Sequence, residues 1–109
     1  MASQTTEQRI NARYQVEFPA AIEGDYHGIG IVYNLGIGGC KVVSQLGVKC
    51  GSLLRVHLQV PDQIGAITIR AATVRWTMEL EFGIEFLEML EQERIRLEKF
   101  LTTQLPSAT

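Results

Sequence analysis

Two arginines and a run of glycines are the residues with the most distinctive chemistry in this sequence. Arg9 and Arg13 lie four positions apart in a polar N-terminal segment, and residues 34–39 read Asn-Leu-Gly-Ile-Gly-Gly. Guanidinium groups bind phosphate oxygens and guanine edges in a bidentate manner and stack on purines. Glycines let a ligand approach the backbone closely. This combination is compatible with a guanine nucleotide as ligand, while the arginines alone fit a solvated tail and the glycines a tight turn.

No catalytic arrangement is recognisable in the sequence. His27 and His57 are the only histidines, and no HxxxH, HExxH or CxxC motif accompanies them. The acidic residues from Glu79 to Glu98 have the spacing of solvated faces. Residues 34–39 lack the Gly-Lys-Ser/Thr ending of a Walker loop, and they open a strand where a dinucleotide fingerprint would open a helix. We therefore expect a protein that is not an enzyme and has no cofactor or bound metal.

Length and composition predict one compact domain. The 109 residues are 46% hydrophobic and 20% charged, which suffices for a self-contained core and argues against disorder. The apolar runs are far shorter than the ~20 residues that cross a bilayer, and the N-terminal stretch is too polar for a signal peptide. Cys40 and Cys50 form no CxxC motif, so we interpret both as reduced thiols. We expect a cytoplasmic protein without membrane insertion.

The charge is unevenly divided along the chain. Residues 1–78 contain seven basic and five acidic residues, a net charge of +2, whereas residues 79–109 contain three basic and seven acidic residues, a net charge of -4. Binding along a nucleic acid requires many neutralised phosphates. The distribution therefore argues against nucleic acid as a partner and leaves room for one small dianion.

The hydrophobic pattern predicts strands followed by one helix. Pro19 has no N–H and indicates an edge or a bulge at the centre of the first strand. A helix begins at about Met89, and Ile95 lies off its apolar stripe, either as a scattered exposed residue or as a partner contact. The predicted stripe consists of Met89, Leu90, Leu97, Phe100, Leu101 and Leu105. The predicted strands cover residues 14–23, 27–33, 40–45, 54–60, 67–76 and 82–86.

The fifth predicted strand changes its buried face. Ile67 and Ile69 are apolar at odd positions, whereas Val74 and Trp76 are apolar at even ones. One inserted residue near Ala72 reconciles the two halves, which predicts a β-bulge there. Bent strands of this kind help a short sheet to close into a barrel.

Together, the two motifs resemble those of the PilZ domain, a family of small bacterial β-barrels that bind cyclic di-GMP. Arg9 and Arg13 match its RxxxR motif before the first strand, and Asn34 and Gly39 match the ends of its [D/N]xSxxG motif. Residues 82–86 resemble the family's closing Gly-x-x-Phe strand, and the C-terminal helix also agrees. The resemblance covers nearly the whole chain, and two motifs in this order are more specific than either alone.

The resemblance implies a mainly β protein, a six-stranded antiparallel β-barrel of the split-barrel type with a C-terminal helix. Residues 1–13 would form a flexible segment, and residues 14–105 the barrel and helix. The implied function is a cyclic di-GMP receptor whose arginine segment becomes ordered on binding and signals to an unidentified protein partner, as a monomer or weak homodimer. The implied ligand-binding residues are Arg9, Arg13, Asn34, Gly36, Gly38, Gly39 and Cys40.

Individual roles also follow from the resemblance. Arg9 and Arg13 would contact phosphate and guanine, and Asn34 would read a guanine edge. The backbone groups of Gly38 and Cys40 would lie near the base, while Gly36 and Gly39 would shape the turn. One departure is that glycine at position 36 replaces the family's usual serine, which removes a hydrogen bond worth about 0.5–1.5 kcal/mol. Asparagine at position 34 is accepted by the family, although aspartate offers more acceptor capacity.

Two alternative functions remain at the level of the sequence. The first is a PilZ-like adaptor of the motility or pilus type that no longer binds nucleotide; the glycine at position 36 favours it, and the two arginines argue against it. The second is a small barrel that binds an oligonucleotide. The net charge of -2 and an aromatic content of 7% argue against that alternative, because stacking platforms for single strands need several exposed aromatic residues.

Overall fold

The computed structural model describes residues 12–105, which form a closed antiparallel barrel with a helix packed against it. The order of strands around the barrel is β1-β2-β3-β6-β5-β4. The predicted six-stranded barrel with a C-terminal helix is therefore confirmed. The strands are β1 (Phe18–Gly24), β2 (Gly28–Gly36), β3 (Gly39–Val43), β4 (Leu53–Leu58), β5 (Ile67–Met78) and β6 (Glu81–Glu88), and the helix is α1 (Glu91–Leu101).

The core lies inside the barrel and under the helix. Alternate residues of the strands point inward and are buried, as the period-two pattern predicted. Helix α1 closes the barrel with Leu97, Phe100 and Leu101, and the Phe100 ring meets the Phe18 ring edge to face at 5.9 Å between centroids. Leu90 and Leu105, predicted on the buried stripe, are exposed, since Leu90 directly precedes the helix and Leu105 lies four residues beyond its last residue.

Strand β5 contains two register shifts where the sequence predicted one. The shift between Ala71 and Ala72 confirms the predicted bulge. A second shift lies between Val74 and Trp76, and every residue from Arg75 to Leu80 is exposed. The prediction that Trp76 belongs to the buried face is therefore wrong, since its side chain is 42% exposed.

Pro19 occupies neither an edge nor the centre of its strand. The barrel is closed, and Pro19 is the second residue of β1, opposite Ile31 of β2. The strand begins later than predicted because, of residues 14–17, only Tyr14 forms a bridge, to Leu35. Strand β4 has already ended at this level, and only the Gln59 N–H reaches the Pro19 carbonyl oxygen, at 3.0 Å. The missing N–H of proline therefore breaks no ladder hydrogen bond to β4.

The Glu93–Arg96 ion pair of helix α1 is hydrogen-bonded to β5 and to the β4–β5 connection. Glu93 accepts a hydrogen bond from the Thr68 N–H at 2.8 Å and pairs with Arg96 at 3.0 Å. Arg96 in turn donates to the carbonyl oxygens of Ile64 (3.1 Å) and Gly65 (2.8 Å). Burial raises the pKa of Glu93, but these bonds outweigh it and hold the pKa below its usual range. Within residues 12–105, no helix has the length and apolar character needed to span a membrane.

Candidate ligand-binding site

The glycine turn lies at one end of the barrel, where β2 passes into β3. Gly36 pairs with Gly39, and a register shift between Tyr33 and Gly36 inserts one extra residue into β2. Asn34 within this bulge has a φ of +50°, a left-handed conformation that asparagine tolerates better than most residues. At Gly39 a side chain would collide with the Ile84 carbonyl oxygen of β6. Glycine at position 39 is therefore required for β3 and β6 to pair at this point.

Arg13 lies directly on this turn. The backbone of Tyr14 exchanges two hydrogen bonds with Leu35, at 2.9 and 3.1 Å, which fixes the preceding residue above the glycines. The Arg13 guanidinium donates to the carbonyl oxygen of Gly39 at 2.6 Å and more weakly to that of Asn34 at 3.4 Å. A Cβ on Gly36 would lie 2.7 Å from the Ala12 carbonyl oxygen. The absence of a side chain at position 36 thus permits the arginine segment to lie against the turn.

A cavity of about 590 Å³, here called the glycine-turn cavity, opens beside these residues. It is lined by five of the seven predicted site residues: Arg13, Asn34, Gly36, Gly38 and Cys40. Gly39 is not among the lining residues; it pairs with Glu85 of β6. Arg9 lies outside the described residues, so only one of the two predicted arginines is placed.

Cys40 contributes to the cavity through its backbone. Its side chain is buried, and burial raises the pKa of the thiol to about 12, against a smaller opposing effect of Arg13. The thiol is therefore protonated at neutral pH, and it adds no negative charge next to Arg13. Both Cys40 and Cys50 are free thiols.

Three residues that the sequence did not single out also line the glycine-turn cavity: Lys41, Arg75 and Trp76. Arg75 forms an ion pair with Glu85 across β5 and β6. The exposed Trp76 indole lies over Gly83, where any side chain would collide with it. Lys41 directly follows the glycine motif, so its proximity was readable from the sequence. The position of Trp76 depends on the second shift in β5, which leaves no signal in the hydrophobic pattern.

A larger cavity of about 890 Å³, here called the helix-end cavity, lies between residues 15–18, residues 61–63 and the end of α1. Its charged lining residues are Glu17, Asp62 and Lys99, and it contains none of the predicted site residues. No ion pair joins these three side chains to other described residues. Across residues 12–105, no three His, Cys, Asp or Glu side chains are grouped so that they could hold a metal ion.

The fold and the site define a small β-barrel domain with a candidate anion-binding cleft at the end of the barrel. The family model of the PilZ domain matches residues 4–103. Since the match spans nearly the entire sequence, the chain belongs to the PilZ domain family.

Several solved structures share this fold. The Bacillus subtilis inhibitor of motility (MotI/DgrA) superposes with a TM-score of 0.70 at 21% sequence identity, over 84% of this chain and 48% of that one. The PilZ domain of CeSA from a cellulose-synthesizing bacterium superposes with a TM-score of 0.67 at 10% identity, over 83% of this chain and 94% of that one. The chain thus spans about half the length of MotI/DgrA. No curated protein sequence matches it.

Proposed function

We propose that this protein is a non-enzymatic receptor for cyclic di-GMP. The observation that carries the proposal is the convergence of Arg13, the glycine turn and Trp76 on one cavity. Family membership supports it, because PilZ domains are typically cyclic di-GMP receptors. The ligand combines two phosphates with two purine bases, and the cavity offers a cation for the former and an aromatic surface for the latter.

Arg13 is the proposed phosphate-binding group. It forms no ion pair with any carboxylate among the described residues, and its present acceptors are backbone carbonyl oxygens. A phosphate oxygen is a stronger partner for guanidinium than a carbonyl oxygen, because both partners are then charged. Arg9 would supply the second cation. Binding would therefore exchange the bonds of Arg13 to the turn for bonds to the ligand.

The turn and Trp76 are proposed to hold a guanine base. Asn34 would bond to a guanine edge with its amide, and the backbone of Gly38 and Cys40 would approach the base without interference from side chains. Trp76 is 42% exposed, and its indole lies against Gly83, where the absence of a side chain makes room for it. Stacking of a base on such a ring contributes about 1–3 kcal/mol.

We propose that the signal is the position of the arginine segment. Two residues beyond Arg13, the Gln15 N–H donates to the Leu105 carbonyl oxygen at 2.9 Å, so the segment also touches the chain that follows α1. A ligand that binds more tightly when Arg13 turns toward it shifts the population of this segment. Residues 1–13 would then be ordered across the cavity, and a protein partner would read the changed surface.

A second candidate is an adaptor that acts without nucleotide. The specific observation in its favour is the close contact of the arginine segment with Gly36, where the family's usual serine would interfere with Ala12. In this case the docked segment itself would be the surface that a partner recognises.

Isothermal titration calorimetry of the full chain with cyclic di-GMP distinguishes the two candidates. The receptor proposal predicts saturable heat with cyclic di-GMP, and none with GMP at the same concentration. It also predicts a shallow dependence of affinity on salt, because only two phosphates are neutralised. Native mass spectrometry of the same mixture gives the number of ligands per chain. Absence of heat at sub-millimolar ligand would leave the adaptor as the better account.

A further inference from the structure

The outer surface of β3, β6 and β5 carries apolar side chains where a solvent-facing sheet is normally polar. The strand register places Val43, Glu81 and Met78 side by side in one outward row. Met78 is 63% exposed, and its neighbours Trp76 and Leu80 are 42% and 55% exposed. Exposed apolar groups that are contiguous, unlike scattered ones, mark interaction surfaces.

This surface lies where the β5–β6 hairpin extends beyond the end of β4. Pairing of β4 with β5 ends at Thr73, whereas β5 and β6 continue as a hairpin to Met78 and Glu81. Every residue from 75 to 80 is exposed. We call the outward side chains of this region the hairpin face, which consists of Lys41, Val43, Trp76, Met78, Leu80 and Glu81. Gly51 and Ser52, which precede β4, still bond to the Val74 backbone, so the hairpin extends beyond this connection from Trp76 onward.

The charges of the hairpin face are balanced and adjacent. Lys41 Nζ lies 3.8 Å from Glu81 Oε1, with the two side chains 31% and 42% exposed. A surface with one positive and one negative group beside apolar residues offers little to a strongly charged partner. It is self-complementary under a two-fold axis, because Lys41 of one copy can face Glu81 of the other while the apolar residues meet.

We propose that the hairpin face pairs with the same face of a second copy of this chain. The expected dimer is weak. The face spans three strands, about 4.8 Å apart, and little more than two outward rows, about 7 Å apart. Its area therefore falls below that of standard stable interfaces, which bury about 1,200–2,000 Å² in total. Lys41 and Trp76 also line the glycine-turn cavity, so a second copy and the ligand proposed for that cavity would compete for these two residues.

Sedimentation velocity of the full chain from micromolar to millimolar concentration tests the dimer. We expect reversible dimerisation, and we expect Lys41→Glu and Glu81→Lys each to raise the dissociation constant by about tenfold or more, since each places like charges across the axis. An equimolar mixture of the two variants restores the two opposite-charge contacts and should dimerise like the native chain. Met78→Glu should weaken dimerisation of the otherwise native chain. When it is added to both charge variants, it should also weaken dimerisation of their equimolar mixture.

Arg94→Glu is the matched control, because it reverses a charge in the exposed Arg94–Glu98 pair on α1, away from the hairpin face. It should leave dimerisation unchanged. The proposal is overturned if the native chain stays monomeric throughout the concentration range, if the mixture dimerises no better than either variant alone, or if Arg94→Glu weakens the dimer as much as Lys41→Glu. Far-ultraviolet circular dichroism of each variant verifies that the barrel is intact.

Discussion

The two cavities of the molecule differ in volume and in the charge of their lining residues, and the larger one is the less suited to a phosphate-bearing ligand. The helix-end cavity is larger, about 890 Å³ against about 590 Å³, yet two of its three charged lining residues, Glu17 and Asp62, are acidic. Of the four charged residues that line the glycine-turn cavity, Arg13, Lys41 and Arg75 are basic and Glu85 is acidic, and the exposed Trp76 indole lies beside them. A phosphate-bearing ligand would be repelled by the carboxylates of the first and attracted by the guanidinium of the second.

The origins of the cavities explain this difference. The helix-end cavity forms where β4 leaves β1 after Gln59, because Pro61 has no N–H to continue the ladder and Asp62 turns the chain with a φ of +62°. It is a gap left by strand separation. The glycine-turn cavity brings a cation, backbone groups and an aromatic ring from four separate segments to one point. Convergent polar groups, more than volume, identify a ligand site.

The largest expected effect comes from removing the guanidinium of Arg13 from the glycine-turn cavity. Arg13→Ala should abolish detectable binding of cyclic di-GMP, because the loss of two charged hydrogen bonds at about 1.5–3 kcal/mol each weakens binding by about 100-fold or more. Titration calorimetry measures it. Lys99→Ala removes the cation of the helix-end cavity and should leave the affinity unchanged; if both variants weaken binding equally, the comparison between the cavities fails.

The next effect concerns the aromatic wall. Trp76→Ala should weaken cyclic di-GMP binding by about 5- to 100-fold, in keeping with about 1–3 kcal/mol for a stacked base. Trp76→Phe should retain part of the affinity, because a smaller ring still stacks. Ile64→Ala, at a fully exposed apolar residue of the β4–β5 connection, is the control. Native affinity in Trp76→Ala would show that no base rests on the indole.

Gly36→Ser should tighten cyclic di-GMP binding by a few-fold to about tenfold. Two causes act in the same direction: the hydroxyl adds a hydrogen bond to the ligand, and the Cβ displaces Ala12 and Arg13 from the ligand-free contact. Gly36→Ala separates them, because it adds the Cβ without the hydroxyl, and its affinity should lie between those of the native chain and Gly36→Ser. Calorimetric affinities in any other order would contradict this account of the turn.

The smallest effect on the ligand is expected from a residue that supports the other cavity. Glu93→Gln loosens the attachment of α1 to the connection beside the helix-end cavity, and should lower the free energy of unfolding by about 1–3 kcal/mol at pH 7. Affinity for cyclic di-GMP should stay within about twofold. A large loss of affinity in Glu93→Gln would mean that the two cavities are coupled.

The effect of Glu93 on stability should depend on pH. Its pKa in the folded chain lies below the ordinary value of 4.5, so its contribution is complete above that value and is lost as the pH falls through the folded pKa. Urea unfolding at a series of pH values should therefore show the native chain and Glu93→Gln converging below about pH 4.5. A difference that grows on acidification would contradict the assigned hydrogen bonds.

Much of the fold was predictable because alternation of apolar residues reports directly on strands that bury one face. The bulge at Ala72 was visible as a change of parity, and the turn at residues 34–39 as a cluster of glycines. The second shift in β5 was not predictable, because Trp76, at an even position like Val74, continues the buried pattern of the sequence although it is exposed in the structure. The ends of α1 were misplaced because Leu90 and Leu105 continue its apolar spacing beyond the helix.

The motifs of the candidate site were predictable from the sequence, but several of the residues that line its cavity were not. Arg13 and residues 34–40 are close in sequence to recognisable patterns, and the structure brings them together. Arg75 and Trp76 reach the cavity from β5, and Glu85 from β6, through strand pairing of which the sequence gives no register. The docking of Ala12 against Gly36 was also invisible, because it depends on the path of an irregular segment.

The most direct test of the central claim is a two-dimensional ¹H–¹⁵N NMR titration of the full chain with cyclic di-GMP. The account predicts saturable chemical-shift changes at the amides of Arg13, Asn34, Gly38 and Cys40 and at the Trp76 indole N–H. It predicts unchanged resonances for the amides of Glu17, Asp62 and Thr103 around the helix-end cavity. Shift changes confined to the helix-end cavity, or none at any of these positions with millimolar ligand, would contradict it.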